Sequence, residues 1–254
     1  MIKTVKKYAA LCVALIGCAV FASGCGVGGT YRYDDASRYQ AGNGSFDAEQ
    51  VLELSVDWIA GEVILREGEG DEITFTETTD ETDEDYLMHY CLERGELQIR
   101  FQNSGTKIRN HFQKTLVIEY PAGHAFRDVE IDTASADVSV SGLTATEFSA
   151  DTASGEVDLQ CGSVSDVSVD TASGNIALRG AFAKAECDTA SGRITVTFPQ
   201  SVGFRATLKT ASGKVSNSTE ATLDGRAYVA GNGQVILEAE SASGNLVLQR
   251  ETLS

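Results

Sequence analysis

Apolar residues in the second half of the chain fall on every other position. Val129 and Ile131, Phe148 and Ala150, Val167 and Val169, Ala185 and Cys187, and Ala206 and Leu208 precede short polar turns. Val138 and Val140, Val157 and Leu159, Ile176 and Leu178, and Ile194 and Val196 follow them. A period of two marks strands with one buried face. Upstream, strands of variable length are predicted over Val51–Val56, Glu62–Leu65, Glu72–Thr78, Tyr86–Glu93, Glu96–Gln102 and Thr115–Tyr120, with a hairpin turn at Glu93-Arg94-Gly95-Glu96.

The turns repeat one phrase. Asp-Thr-Ala-Ser-Gly begins at Asp151, Asp170 and Asp188, with weaker copies at Asp132, Lys209 and Glu240 and a degenerate one at Asp57. The steps are 19, 19 and 18 residues, then 21 and 31, and the last gap holds a further turn at Gly231-Asn232-Gly233. A fixed period with one phrase per unit is the signature of a stacked repeat. Two all-β folds fit: a parallel, β-helix-like solenoid with coils of about 19 residues, and an antiparallel meander. Identical phrases at equal spacing favour the solenoid, because each residue then sits on its own equivalent. The expected organisation is a signal at 1–24, a flexible tether at 25–48, an irregular β part at 49–128 and the repeat at 129–250.

In such a stack Asp132, Asp151, Asp170 and Asp188 form one line. Each carboxylate is expected to cap backbone N–H groups of its own turn, with Ser154, Ser173 and Ser191 completing the corner. The alternative is a bridging cation such as Ca²⁺. Small residues at Ala134, Ala153, Ala172, Ala190, Ala211 and Ala242 suit an inward corner, and Gly155, Gly174 and Gly192 suit a positive φ, with Ala136 as the exception.

Charge narrows the choice of partners. The formal net charge is −17, and loss of residues 1–24, which hold three lysines and no acid, takes it to −20. Such a surface repels nucleic-acid backbones and anionic lipid heads. The first residues read as a secretory signal: a basic start, an apolar run from Tyr8 to Ala22, then small residues and a cysteine. This stretch resembles a bacterial lipoprotein signal, in which that cysteine is lipidated. Cys25 after Ala22-Ser23-Gly24 is the first choice and Cys18 the second. The implied place is the outer side of the cytoplasmic membrane, held by lipid.

Other chemistry is sparse. Cys91, Cys161 and Cys187 are an odd number, with the last two on inward positions, and no Cys/His cluster suggests a metal. Ten acids between Glu67 and Asp85 read as a solvated, mobile loop, and Arg109–Lys114 as an exposed basic one. His89, His111 and His124 are scattered, no Gly-x-Ser-x-Gly motif occurs, and Trp58 is the one tryptophan. No cofactor and no metal are expected.

Tyr120-Pro121, the strand ending Glu130-Ile131-Asp132-Thr133-Ala134-Ser135 and the recurring Asp-Thr-Ala-Ser-Gly resemble the bacterial DUF4097 family over about residues 50–250. That resemblance implies a repetitive β fold and an envelope setting, with candidate adhesins among its members, and carries no catalytic residue. The expected function is a non-catalytic adhesion or interaction scaffold for an envelope protein or surface glycan. An accessory of envelope-stress signalling is the alternative, and a polysaccharide-active enzyme is a third.

Overall fold

The computed structural model describes residues 29–109 and 114–252; the signal, Cys18, Cys25 and His111 lie outside them. The strands are β1 (Gln40–Ala41), β2 (Gly44–Asp47), β3 (Glu53–Trp58), β4 (Gly61–Gly68), β5 (Glu72–Thr78), β6 (His89–Glu93), β7 (Glu96–Arg100), β8 (Lys114–Pro121) and β9 (Phe126–Thr133). They continue as β10 (Asp137–Thr152), β11 (Val157–Thr171), β12 (Ile176–Thr189), β13 (Ile194–Phe198), β14 (Phe204–Thr210), β15 (Val215–Asn217), β16 (Thr222–Asp224), β17 (Ala227–Ala230), β18 (Val235–Ser241) and β19 (Leu246–Arg250).

Two walls enclose one core. The long strand β10 bends at Gly142 (φ +77°), so its first half pairs with β4 and its second half with β9. The first wall, here the aspartate wall, runs β1-β6-β7-β3-β9-β10-β11-β12-β18-β14-β17-β16. The second runs β2-β5-β8-β4-β10-β11-β12-β13-β19-β15. The centre is parallel and in register, and the antiparallel pairs sit at the two ends. The alternating apolar positions of both walls point between them: Val129, Ile131, Val157, Leu159, Ile176, Leu178, Ala185 and Cys187 are all buried. The chain is therefore an all-β, solenoid-like stack.

Stacking order and chain order differ at the C-terminal end. The Glu240 coil lies between the Asp188 and Lys209 coils, so β18 separates β12 from β14 and β19 separates β13 from β15. The long gap after Lys209 is filled by the β16–β17 hairpin, which covers β14 antiparallel. The chain thus builds its last coil first and then returns to fill the slot beneath it.

Three further segments depart from the sequence reading. Residues 31–47 of the expected tether pack onto the body: Tyr31 is buried, donates to the Asp57 carbonyl (3.2 Å) and accepts from the Phe101 N–H (3.2 Å). Its apolar ring gives a polar-looking segment a reason to dock. The acidic stretch carries β5 at the expected Glu72–Thr78 but is not the solvated loop expected around it, because an ion pair between Glu77 and Lys114, whose side chains are 3% and 0% exposed, ties it down. Lys114, expected in an exposed loop, also donates to the carbonyls of Tyr86 and Phe101 (each 2.5 Å) and stands over the Phe101 ring. A buried ammonium needs that many partners to offset its lost hydration.

Candidate functional site

The corners come first, because they fix what the aspartates can do. The inward residue of each corner is threonine, or serine in the Glu240 coil, and the alanine beside it is only half-buried or exposed. Thr152, Thr171, Thr189 and Ser241 are buried, and their hydroxyls accept from the N–H of Gly155 (2.9 Å), Gly174 (2.8 Å), Gly192 (2.9 Å) and Gly244 (2.7 Å). Threonine therefore makes the cap that the sequence assigned to aspartate. None of these glycines has positive φ. Each is required because the coil beneath comes too close: a Cβ on Gly174 would stand 1.8 Å from the Gly155 carbonyl oxygen, and one on Gly192 1.8 Å from that of Gly174. Ala136 is tolerated at the start of the run, where it is fully buried. Ser154, Ser173 and Ser191 are exposed and reach the alanine carbonyls of the preceding coil. Asp137, Asn175 and Asn245 accept from the neighbouring coil's N–H instead, at Glu156 (2.8 Å), Arg193 (2.9 Å) and Lys214 (2.9 Å).

Freed from capping, the aspartates form a column. In register the order is Arg100, Asp57, Asp132, Asp151, Asp170, Asp188, Glu240 and Lys209, with a cation at each end. Among the described residues no side-chain hydrogen bond ends on Asp132, Asp151 or Asp170, and Asp188 Oδ1 is buried without a partner. Burial first, then Glu130, Asp151 and Asp57, push the Asp132 carboxyl up to about 7. Burial, then Asp170 and Glu240, push Asp188 up to about 7 as well. Burial, then Asp151 and Glu186, take Asp170 to about 6, although that side chain is exposed and water screens both causes. Burial also raises Asp151. Two effects act in one direction here, desolvation and like charge.

Two more rows share this wall. Glu53, Asp128, Glu147, Asp166 and Lys184 form one. Ser55, Glu130, Ser149, Ser168, Glu186 and Glu238 form the other. The short Ser149 and Ser168 leave a depression of ≈ 240 Å³, rimmed by Glu130, Glu147, Asp166 and Glu186 with Lys184 as its one cation. Sequence reading missed these rows because they lie outside the repeated phrase. Alternation was the available signal: positions two and four before each aspartate must face the same way.

Metal chemistry finds little support, since among the described residues no three His, Cys, Asp or Glu groups converge as a cation cage would need. Cys161 and Cys187 are buried free thiols, and burial pushes Cys161 up to about 12. His89 is buried on β6, near one end of the aspartate wall, and His124 lies in the β8–β9 turn; burial holds both below the usual imidazole range.

Comparison with known proteins now adds to the geometry. No curated protein matches the chain. A solved structure of a candidate cell adhesion protein from Clostridium sporogenes is 14% identical with a TM-score of 0.49, covering 84% of this chain and 100% of that one. A candidate adhesin from Bacteroides fragilis is 13% identical with a TM-score of 0.42, covering 84% and 97%. A candidate lipid binding protein from Parabacteroides distasonis is 14% identical with a TM-score of 0.35, covering 87% and 100%. The model of the Toastrack family matches residues 51–185 and 122–249, from the first central strand to the last coil, and the chain therefore belongs to the DUF4097 (Toastrack) family.

Proposed function

We propose that this is a non-catalytic docking module of the cell envelope, whose aspartate wall binds a cationic surface on a partner. One observation carries the reading: three in-register rows turn a flat sheet into an array of carboxylates with few cations among them. Such an array attracts basic groups over a distance and orients them on contact. The N-terminal cysteine motif supports a lipid tether at Cys25, with Cys18 second, on the outer side of the membrane. An envelope protein with a basic surface is the preferred partner; a glycan fits this reading where it carries amines. An enzyme reading is not favoured, because the wall repeats its acidic rows from coil to coil and sets no aromatic side chain among them as a substrate platform.

Oligolysine and oligoglutamate binding to the full chain tests the reading. Oligolysine should bind, lose affinity as salt rises, and weaken about tenfold with Glu147→Gln and Asp166→Asn together, a loss of about 1.4 kcal/mol. Asp158→Asn on the second wall should leave it unchanged. Equal binding of both peptides, or equal loss from both walls, would reject the docking face.

A further inference from the structure

The aspartate column has few donors: none is directed at the Asp132, Asp151 or Asp170 side chains among the described residues, and Asp188 meets the backbone N–H of Glu240 alone. Parallel, in-register strands set equivalent residues about 4.8 Å apart, and Asp132, Asp151, Asp170 and Asp188 are direct partners across β9, β10, β11 and β12. Apart from the Glu240 N–H beside Asp188, the backbone N–H groups around them belong to the sheet and the corner caps. Every charged neighbour within the middle of the column is acidic, Asp57 on β3, Glu130 on β9, Glu186 on β12, and Glu238 and Glu240 on β18, with the neutral Ser149 and Ser168 between them. Tyr31 packs against Asp57 at one end. Arg100 at that end is turned to the Ser55 hydroxyl and backbone, and Lys209 at the other is engaged by Glu240. Four stacked carboxylates so placed have two ways to relieve repulsion: to bind a cation, for which no cage is formed among the described residues, or to hold protons.

We propose that the column is a proton store: its carboxyls hold fewer than four charges at neutrality and take up protons together on mild acidification, which tightens the stack. The proton comes from solvent and lies between carboxyl and carboxylate of adjacent coils, as it does wherever two acids cannot both ionise. The direction of the effect follows from linkage. Folded carboxyls raised above their unfolded range bind more protons than the unfolded chain. Their contribution is complete below about pH 4 and is lost as pH rises through about 6 to 7. His89 and His124, held neutral by burial, act in the opposite sense. Hence the informative quantity is a difference between variants. The same protons would set the charge that oligolysine meets, so its binding should weaken from about pH 8 to about pH 5. That last consequence rests on the docking reading, and the stability effect does not.

The test is the thermal midpoint of the full chain from about pH 5 to about pH 8, beside Asp151→Asn/Asp170→Asn. The variant should gain on the natural chain as pH rises, by ~3–5 °C across the window. A constant gap would overturn the proposal. Infrared spectra of the unaltered chain near pH 6 give a second reading that needs no variant. A protonated carboxyl stretch that fades by about pH 8 is expected, and its absence at pH 6 would also overturn it.

Discussion

The two walls share one backbone plan and one core but show solvent opposite characters. The central outward row of the second wall is Val117, Ile64, Ser139, Asp158, Ala177, Thr195 and Val247 in register, with one acid among seven, and the charges in the row beside it include both signs, Arg66, Glu119 and Arg179. That acid is paired: Asp158 accepts from Arg179 at 2.6 Å. The aspartate wall offers unpaired carboxylates at the same kind of position. Parallel stacking amplifies whatever the repeat writes, so a neutral residue becomes a neutral strip and an acid becomes a column. The scaffold explains both walls equally, and only outward chemistry separates them.

Changes to what the walls share should therefore cost most. Deleting residues 235–254 removes β18 from inside the aspartate wall and β19 from beside the last strand of the second, and exposes the slot around β14 and β15. Loss of a single cooperative unfolding transition is expected by calorimetry. Lys114→Met leaves Glu77 buried without its partner, and a loss of about 3–5 kcal/mol in urea unfolding is expected. Gly174→Ala drives a methyl onto the Gly155 carbonyl and should cost about 3 kcal/mol. Thr171→Val keeps the shape and removes one cap, about 1–2 kcal/mol, whereas Thr171→Ser should recover most of it. Outward changes come last. Asp170→Asn should slightly stabilise the chain above about pH 6 and do nothing near pH 4, where the natural carboxyl is already protonated. Asp158→Asn breaks the pair with Arg179 and should not stabilise the chain. Matching pH profiles for these two variants would erase the distinction between the walls.

Much of this plan was legible from alternation. The strands from Glu53 to Pro121 fall within a few residues of their expected places, and the turn Arg94-Gly95 has the two positive φ values, 53° and 90°, of a tight hairpin. The corner was read with the right residues in the wrong roles. Asp and Thr are both able to cap; carrying the alternation of Val167 and Val169 two residues on puts Thr171 inward, where it is buried and caps the turn. Glycine invited a φ argument, while the real constraint comes from a carbonyl one coil away, which no local pattern can report. Order in the stack was likewise hidden, because the Lys209 and Glu240 phrases carry no mark of which lies nearer Asp188. Tyr31 and Lys114 were misplaced for a related reason: their partners, Asp57 and Glu77, are distant in sequence.

Residue-resolved titration of the aspartate carboxyl carbons by NMR tests the central claim most directly. Midpoints of about 7 for Asp132 and Asp188 and about 6 for Asp170 are expected, each moving down when a neighbour in the column becomes asparagine. Midpoints for all of them near the unperturbed ~3.9, unmoved by such substitutions, would show the carboxyls to be independent and would contradict the account of the wall.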